Sequence, residues 1–425
     1  MKQRLQSLDT ITRRSFAERC ALAAFGLTIL PSFAASNVRA EEVAKGPGFG
    51  KAKNIIWLRL QGGLSHIDTF DPKEGKSQGP AKALSTKAGF QVTDYLPKTA
   101  AIADKICVLR SMTAKVGVHA DAAYIMRTGY EKRGTITHPA MGAWCQHYLG
   151  QSHKTLPSSV CINMPAGSGN GYFPATYSPL PILDPDAGLQ HSRSKEGVAR
   201  LESRLDIMNE LDRDFRAKFP DPSVAAYNDF YENTLRLMKS SDLKAFDVSA
   251  ESDKMRDSYG RNKFGQGCLL ARRLVENGVR FIEVESKGWD MHKGLEKDME
   301  EKMPPFDQAF SALVSDLESR GLLASTLVAV TTEFGRKPNF DGDGRGHHPP
   351  AFSLVLSGGG VKGGYVHGAT DKLGAEPSDK PMKPGDFHAT VGWAAGLPLE
   401  KPATAPNGRP FTVGNKGKPA LEIFA

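Results

Sequence analysis

Along the chain, short apolar runs alternate with stretches whose apolar residues fall at helical spacing. Asn54–Leu60, NIIWLRL, is rich in β-branched residues and stops at Gly62-Gly63, the pattern of a buried strand. Ile106–Leu109 (ICVL), Val279–Val284 (VRFIEV), Thr326–Thr331 (TLVAVT) and Phe352–Leu356 (FSLVL) repeat it. Between them, Asp121–Arg127 predicts a helix closed by Thr128-Gly129, and Phe264–Asn277 one that ends at Gly278. Ala199–Ser240 predicts at least two helices with solvated charged faces, and Pro305–Arg320 another. The stretch from Pro157 to Pro185 is dense in Pro, Gly, Ser and Asn and reads as ordered loop carrying short strands. Helices alternating with apolar strands imply an α/β fold, a largely parallel central sheet with helices on both faces. In such sheets functional side chains gather in the loops after the carboxyl ends of strands.

The first forty residues stand apart from this pattern. Arg13-Arg14 precede Phe16, an apolar run CALAAFGLTILPSFAA follows, and Val38-Arg39-Ala40 offers a cleavage site before Glu41. The expectation is a twin-arginine signal over residues 1–40 and a single domain over 41–425, located in the periplasm or outside the cell. Contact with the membrane would then come only through the export machinery. Residues 1–40 hold six of the 55 Lys and Arg and two of the 47 Asp and Glu, so the remainder carries a net charge of +4. That near balance gives no electrostatic case for nucleic acid as a partner. Cys107, Cys145, Cys161 and Cys268 are widely spaced and form no C-x-x-C pair, as expected of buried reduced thiols rather than zinc ligands.

Three post-strand turns hold most of the reactive polar groups: QGGLSHIDTFD (Gln61–Asp71), GWDMHKG (Gly288–Gly294) and EFGRKPNFDGDGRGHHPP (Glu333–Pro350). Imidazole nitrogen mixed with carboxylate oxygen is the donor set of a divalent transition metal. Singly, each turn also has a plain reading. Asp290 serves as a helix N-cap beside an exposed His292, and Asp341-Gly342-Asp343-Gly344 as a simple turn without the remaining spacing of a calcium loop. Three such turns after three strands shift the weight toward a shared metal site.

GGLSHIDTFDP, LRSMT with HADAAYIMRTGY, YGRNKFGQGCLLARRLVENGVRFIEVESKGWDMHKG and TTEFGRKPNFDGDGRGHHPP resemble the motif series of an uncharacterised exported bacterial family. That family lies within the alkaline phosphatase and sulfatase superfamily, and the resemblance runs from Asn54 to Leu397. It implies an alkaline-phosphatase/sulfatase-like sheet with a site, usually for two ions, at its carboxyl edge. Asp68 then resembles the ligand after the first strand, and Asp290 and His292 the central ligand pair. Glu333 takes a strand-end ligand position, with glutamate for aspartate and Phe334 for the usual histidine. His347 or His348 resembles the last histidine ligand. One ion position is thereby complete and the second lacks its imidazole; zinc, manganese or calcium would suit.

The nucleophile position of the resembled family falls near Val118-His119 rather than on a Ser or Thr, and no Cys-x-Pro-x-Arg is present to give formylglycine. Ser111, Thr113 and His119 are the local candidates, with His119 alternatively a ligand. Metal-activated water is the other possible source of the attacking oxygen. Arg336 and Arg345 match an anionic ester bidentately, although ion pairing within their own loop is equally open to them. His66 is placed with Arg345 on the substrate side. The sequence thus predicts an exported metal-dependent hydrolase of sulfate or phosphate esters, on a sulfated or phosphorylated glycan or envelope polymer. The alternative is a metal- or carbohydrate-binding protein that keeps the fold without turnover.

Overall fold

A computed structural model describes residues 46–167, 169–190, 197–218 and 232–425. The expected signal lies outside the described residues, which apart from Gly46 fall in the unit Pro47–Ala425. The central sheet has eight strands, here β1 (Asn54–Gln61), β2 (Ile106–Met112), β3 (Ser159–Ile162), β4 (Leu180–Ile182), β5 (Phe281–Lys287), β6 (Thr326–Thr331), β7 (Phe352–Ser357) and β8 (Tyr365–His367). Their order across the sheet is β8-β2-β7-β6-β1-β5-β3-β4. β7 runs antiparallel to both its neighbours, and every other pairing in the sheet is parallel.

Alternation along β1 divides the core. Ile56, Leu58 and Leu60 face a layer built by α5 (Lys263–Glu276) and α6 (Leu295–Ser319). Ile55 and Trp57 face α1 (His119–Thr128), α2 (Met141–Leu149) and α7 (Pro384–Ala395). Both faces of the sheet are therefore dry, which is why the strands read as continuous apolar runs. α3 (Val198–Lys218) and the short α4 (Asp253–Tyr259) complete the larger helices, and residues 232–239 are helical as well. No helix among the described residues is long and apolar enough to cross a membrane.

One element differs from the sequence expectation. The helix expected to begin at Pro305 begins ten residues earlier, at Leu295, with Pro304 and Pro305 inside it. Proline removes a backbone donor and normally breaks a helix, but Leu295, Met299 and Met303 are all buried against the core, and that packing holds the extra turns. The sheet is largely parallel, as expected, with β7 its one antiparallel strand. As a result β7 starts, rather than ends, on the edge where its parallel neighbours end.

That edge collects five segments. β1, β5 and β6 are adjacent and parallel, so the turns after Gln61, Lys287 and Thr331 emerge side by side. β2 delivers the Thr113–Val118 segment and α1 to the same edge, and the ribbon pairing Gly335–Arg336 with His347–His348 leads into β7.

Candidate metal centre

Glycine lets the turns pack backbone to backbone. A Cβ on Gly62, whose φ is +131°, would lie 2.4 Å from the Asp290 nitrogen, and one on Gly63 would lie 2.5 Å from the Phe334 ring. Arg336, fully buried, then binds the turns into one body. Its guanidinium donates to the carbonyls of Gly63 (2.8 Å), Arg345 (2.9 Å), Trp289 (3.3 Å) and Gly62, and to the carboxylate of Asp290.

Above Asp290 stand three imidazoles. His119 Nε2 lies 3.2 Å from Asp290 Oδ2, His347 Nε2 3.3 Å from Oδ1, and His292 Nε2 3.1 Å from Oδ1 and 2.9 Å from His347 Nε2. One ligand atom from each of His119, Asp290 and His347 lies within 4.8 Å of the others, the spacing of a single-ion donor set. The partners behind the rings fix which nitrogen faces inward. His119 Nδ1 lies 2.8 Å from Glu333 Oε1 and His347 Nδ1 2.7 Å from the Gly117 carbonyl. Both are acceptors, so each Nδ1 carries a proton, and Nε2 is the ring nitrogen left on the Asp290 side of each imidazole. His119 Nε2 is buried with no hydrogen-bond partner. Two Nε2 atoms and a carboxylate oxygen converging in this way form a donor set that could hold a cation, and the carboxylate and carbonyl behind the imidazoles match the usual second support of metal-ligating histidines.

The remaining expected residues go elsewhere. Asp68 is fully buried and paired with Arg345, Nε to Oδ2 at 2.8 Å, with Ser65 donating to the same carboxylate. Neither it nor Arg345 reaches the cluster, because each satisfies the other and Arg345 also donates to Ser77 and Pro338 carbonyls. Arg336 likewise spends its donors on the turns, leaving none facing outward for a substrate anion. Glu333 stands behind His119 as its acceptor rather than beside the other ligands. His348 and His66 stack at 6.4 Å and reach the Ala375 and Gly374 carbonyls (2.6 and 2.8 Å), so both hold a loop. Thr113 lines a separate cleft, and Ser111 donates to the Lys380 carbonyl. Of the histidine pair expected to supply one ligand, His347 is the member brought to the cluster.

Sequence reasoning gave no role to Gly117, whose carbonyl orients His347, and read Phe334 only as a lost ligand. The Phe334 ring in fact packs 4.9 Å from His119 and 4.6 Å from His347, closing one side of both imidazoles. Nothing in the sequence around Gly117 marks it; the Phe334 position could have been found from its neighbour Glu333.

The family model for proteins of unknown function named DUF1501 matches residues 52–424. This chain belongs to that family. No curated protein matches it. Among solved structures, the DUF1501 chain is similar to the PsFucS1 sulfatase from Pseudoalteromonas sp., at 13% identity and TM-score 0.42, covering 90% of this chain and 72% of that one. It is also similar to a phosphonate monoester hydrolase from Silicibacter pomeroyi (11%, TM-score 0.40, 87% and 76%) and to the alkaline phosphatase of the Antarctic bacterium TAB5 (13%, 0.33, 75% and 94%).

Electrostatics in the DUF1501 centre keep its donors in binding form. Burial pushes the Asp290 carboxyl up, but the hydrogen bond and charge of Arg336, with the nearby His119 and His292, overcome this and bring it to about 2. Burial lowers His292, against the pull of Asp290 and with help from Arg336, so its ring is neutral at pH 7. The four thiols are all buried and free, and burial raises Cys107, Cys145 and Cys161 to about 12. They take no part in the site.

Proposed function

We propose that this DUF1501 protein is an exported, metal-dependent hydrolase of sulfate or phosphate esters, with His119, Asp290 and His347 holding one divalent ion. The observation that carries this reading is the convergence of the His119 and His347 Nε2 atoms on the Asp290 carboxylate, with His119 Nε2 buried and without a hydrogen-bond partner. The motif resemblance to the alkaline phosphatase and sulfatase superfamily supplies the reaction class. A single ion is favoured because Asp68, the ligand expected for a fuller site, is neutralised by Arg345, and Phe334 fills the place of the other imidazole.

When bound, the ion would polarise the ester and neutralise charge that develops on its oxygens. The chain's own groups do the rest. Glu333 and the Gly117 carbonyl hold the His119 and His347 rings in register, and Phe334 keeps water from one side of them. Three protein ligands leave a coordination position open, as catalytic sites require. His292, half-exposed and neutral, stands at the rim, where its ring accepts the proton of an attacking water. No Ser or Thr hydroxyl among the described residues is hydrogen-bonded to His119, Asp290, His292 or His347. Water is therefore the attacking group in this scheme. The same observation favours the second reading, a metal-binding protein without turnover.

Metal analysis of the purified protein, joined to a screen of sulfate and phosphate mono- and diesters, separates these. About one equivalent of ion and turnover of at least one ester class is expected, with His347→Ala losing the ion and His292→Ala keeping it while losing turnover. A loaded protein inactive on every ester would leave the binding-protein reading, and a protein that takes no ion would remove both.

A further inference from the structure

Beside the metal centre lies an open cleft of about 1020 Å³ that the reading above does not use. One wall is Thr113–Val116, the segment that runs directly into Gly117 and His119, and Ala114 donates from its backbone to the Pro349 carbonyl (2.9 Å), two residues from His347. α1 joins the two places: His119 at its start is in the cluster, while Ile125 lines the cleft about 9 Å further along the axis, at ~1.5 Å per residue.

The lining is unevenly charged. Lys115, Arg133, Lys383, Arg409 and Lys416 all border the cleft, all are exposed, and none is ion-paired to a carboxylate among the described residues. Of the three acids there, Asp386 is committed to the backbone nitrogens of Lys383 (3.1 Å) and Lys418 (2.8 Å), leaving Glu131 and Glu400. Five unpaired cations in one concavity concentrate positive potential far above what the chain's modest net charge provides. Aromatic surface is interleaved with them. Tyr130 and Phe411 line the cleft with their rings 5.4 Å apart and nearly perpendicular, and the Tyr130 ring is held flat against His138 at 4.4 Å.

We propose that this cleft binds the neighbouring charged units of a linear polyanionic glycan while one of its sulfate or phosphate esters reaches the histidine cluster. Unpaired cations take the repeated anionic groups, and the partly exposed Phe411 ring, backed by the buried Tyr130, offers apolar surface to sugar rings. The near-balanced charge of the chain outside this cleft disfavours nucleic acid, whose binders carry a broad basic face. The substrate class rests on the hydrolase reading; the binding groove does not.

The test is titration of the metal-loaded full-length protein with dextran sulfate, neutral dextran and duplex DNA at physiological salt, beside the KM for a small aryl ester. A Lys115→Ala/Arg409→Ala variant removes two cleft cations, and Lys244→Ala/Lys254→Ala removes two exposed lysines elsewhere. Dextran sulfate should bind, neutral dextran should bind more weakly, and the cleft variant should lose about tenfold in affinity, equivalent to ~1.4 kcal/mol. The control variant should bind as the wild type does, and the small-ester KM should be unchanged in both. Equal binding by cleft variant and wild type, or DNA binding as tightly as dextran sulfate, overturns the proposal. Cleft-dependent binding in a protein that hydrolyses no ester leaves the groove standing and removes the hydrolase reading instead.

Discussion

Asp68 and Asp290 follow neighbouring parallel strands and emerge on the same edge of the sheet, yet they have opposite fates. Asp68 is wholly buried and faces the Arg345 guanidinium and a serine hydroxyl, so each of its oxygens meets a donor. Asp290 has a side chain 44% exposed and faces three imidazoles, with Arg336 donating from beneath it. A buried carboxylate must be neutralised by the chain itself, whereas one at a rim can leave part of its charge for a ligand. The two aspartates thus separate a structural ion pair from the proposed binding site, a distinction made by what lies opposite each rather than by the turn that carries it.

The comparison breaks most sharply at Arg345. Arg345→Met strands the Asp68 carboxylate without its cation, and a loss of about 3–5 kcal/mol in denaturant-measured stability is expected, much of it restored by adding Asp68→Asn. Metal content per folded molecule should stay at the wild-type level throughout. Loss of the ion with stability intact would instead make Asp68 a ligand.

A smaller effect is expected one step behind the open aspartate. Glu333→Gln keeps shape but weakens the acceptor that fixes His119, so metal affinity should fall by about 10–100-fold in competition with a chelator. An unchanged affinity would show that His119 does not bind the ion.

Smallest per pH unit is the effect on acid stability. Burial lowers His66 and His388 to about 4, from 6.5 for a free imidazole. The unfolded chain therefore takes up protons that the folded chain refuses, and the stability held above pH 6.5 is lost as pH falls toward 4. Each group should contribute a slope of about 1.4 kcal/mol per pH unit in that window. Replacing His388 by a residue that does not titrate should reduce the slope measured in thermal melts.

Much of the architecture was legible because the strands are buried on both sides and their apolar runs are uninterrupted, as in NIIWLRL and TLVAVT. That Asp290 and His292 would meet one of His347 and His348 was readable from the same logic of post-strand turns. What could not be read was how each polar group is spent. Arg336 and Arg345 look alike as anion clamps in sequence, and only packing shows their donors turned inward to carbonyls and to Asp68. Adjacent His347 and His348 are equally plausible on paper; the two-residue ribbon with Gly335–Arg336 points them to different neighbours, Asp290 for one and the Ala375 carbonyl for the other. The helix running through Pro304 and Pro305 shows long-range burial outweighing a local rule.

Arg336 also bears on the order in which the protein is assembled. Its guanidinium grips carbonyls from separate turns and already compensates Asp290, so the centre has a resident positive charge before any ion arrives. Small metal domains, by contrast, stay unfolded until their ion supplies that charge. If the centre takes an ion as proposed, maturation would proceed in two independent stages, chain first and ion second, and scarcity of metal would yield an intact but empty protein rather than a misfolded one.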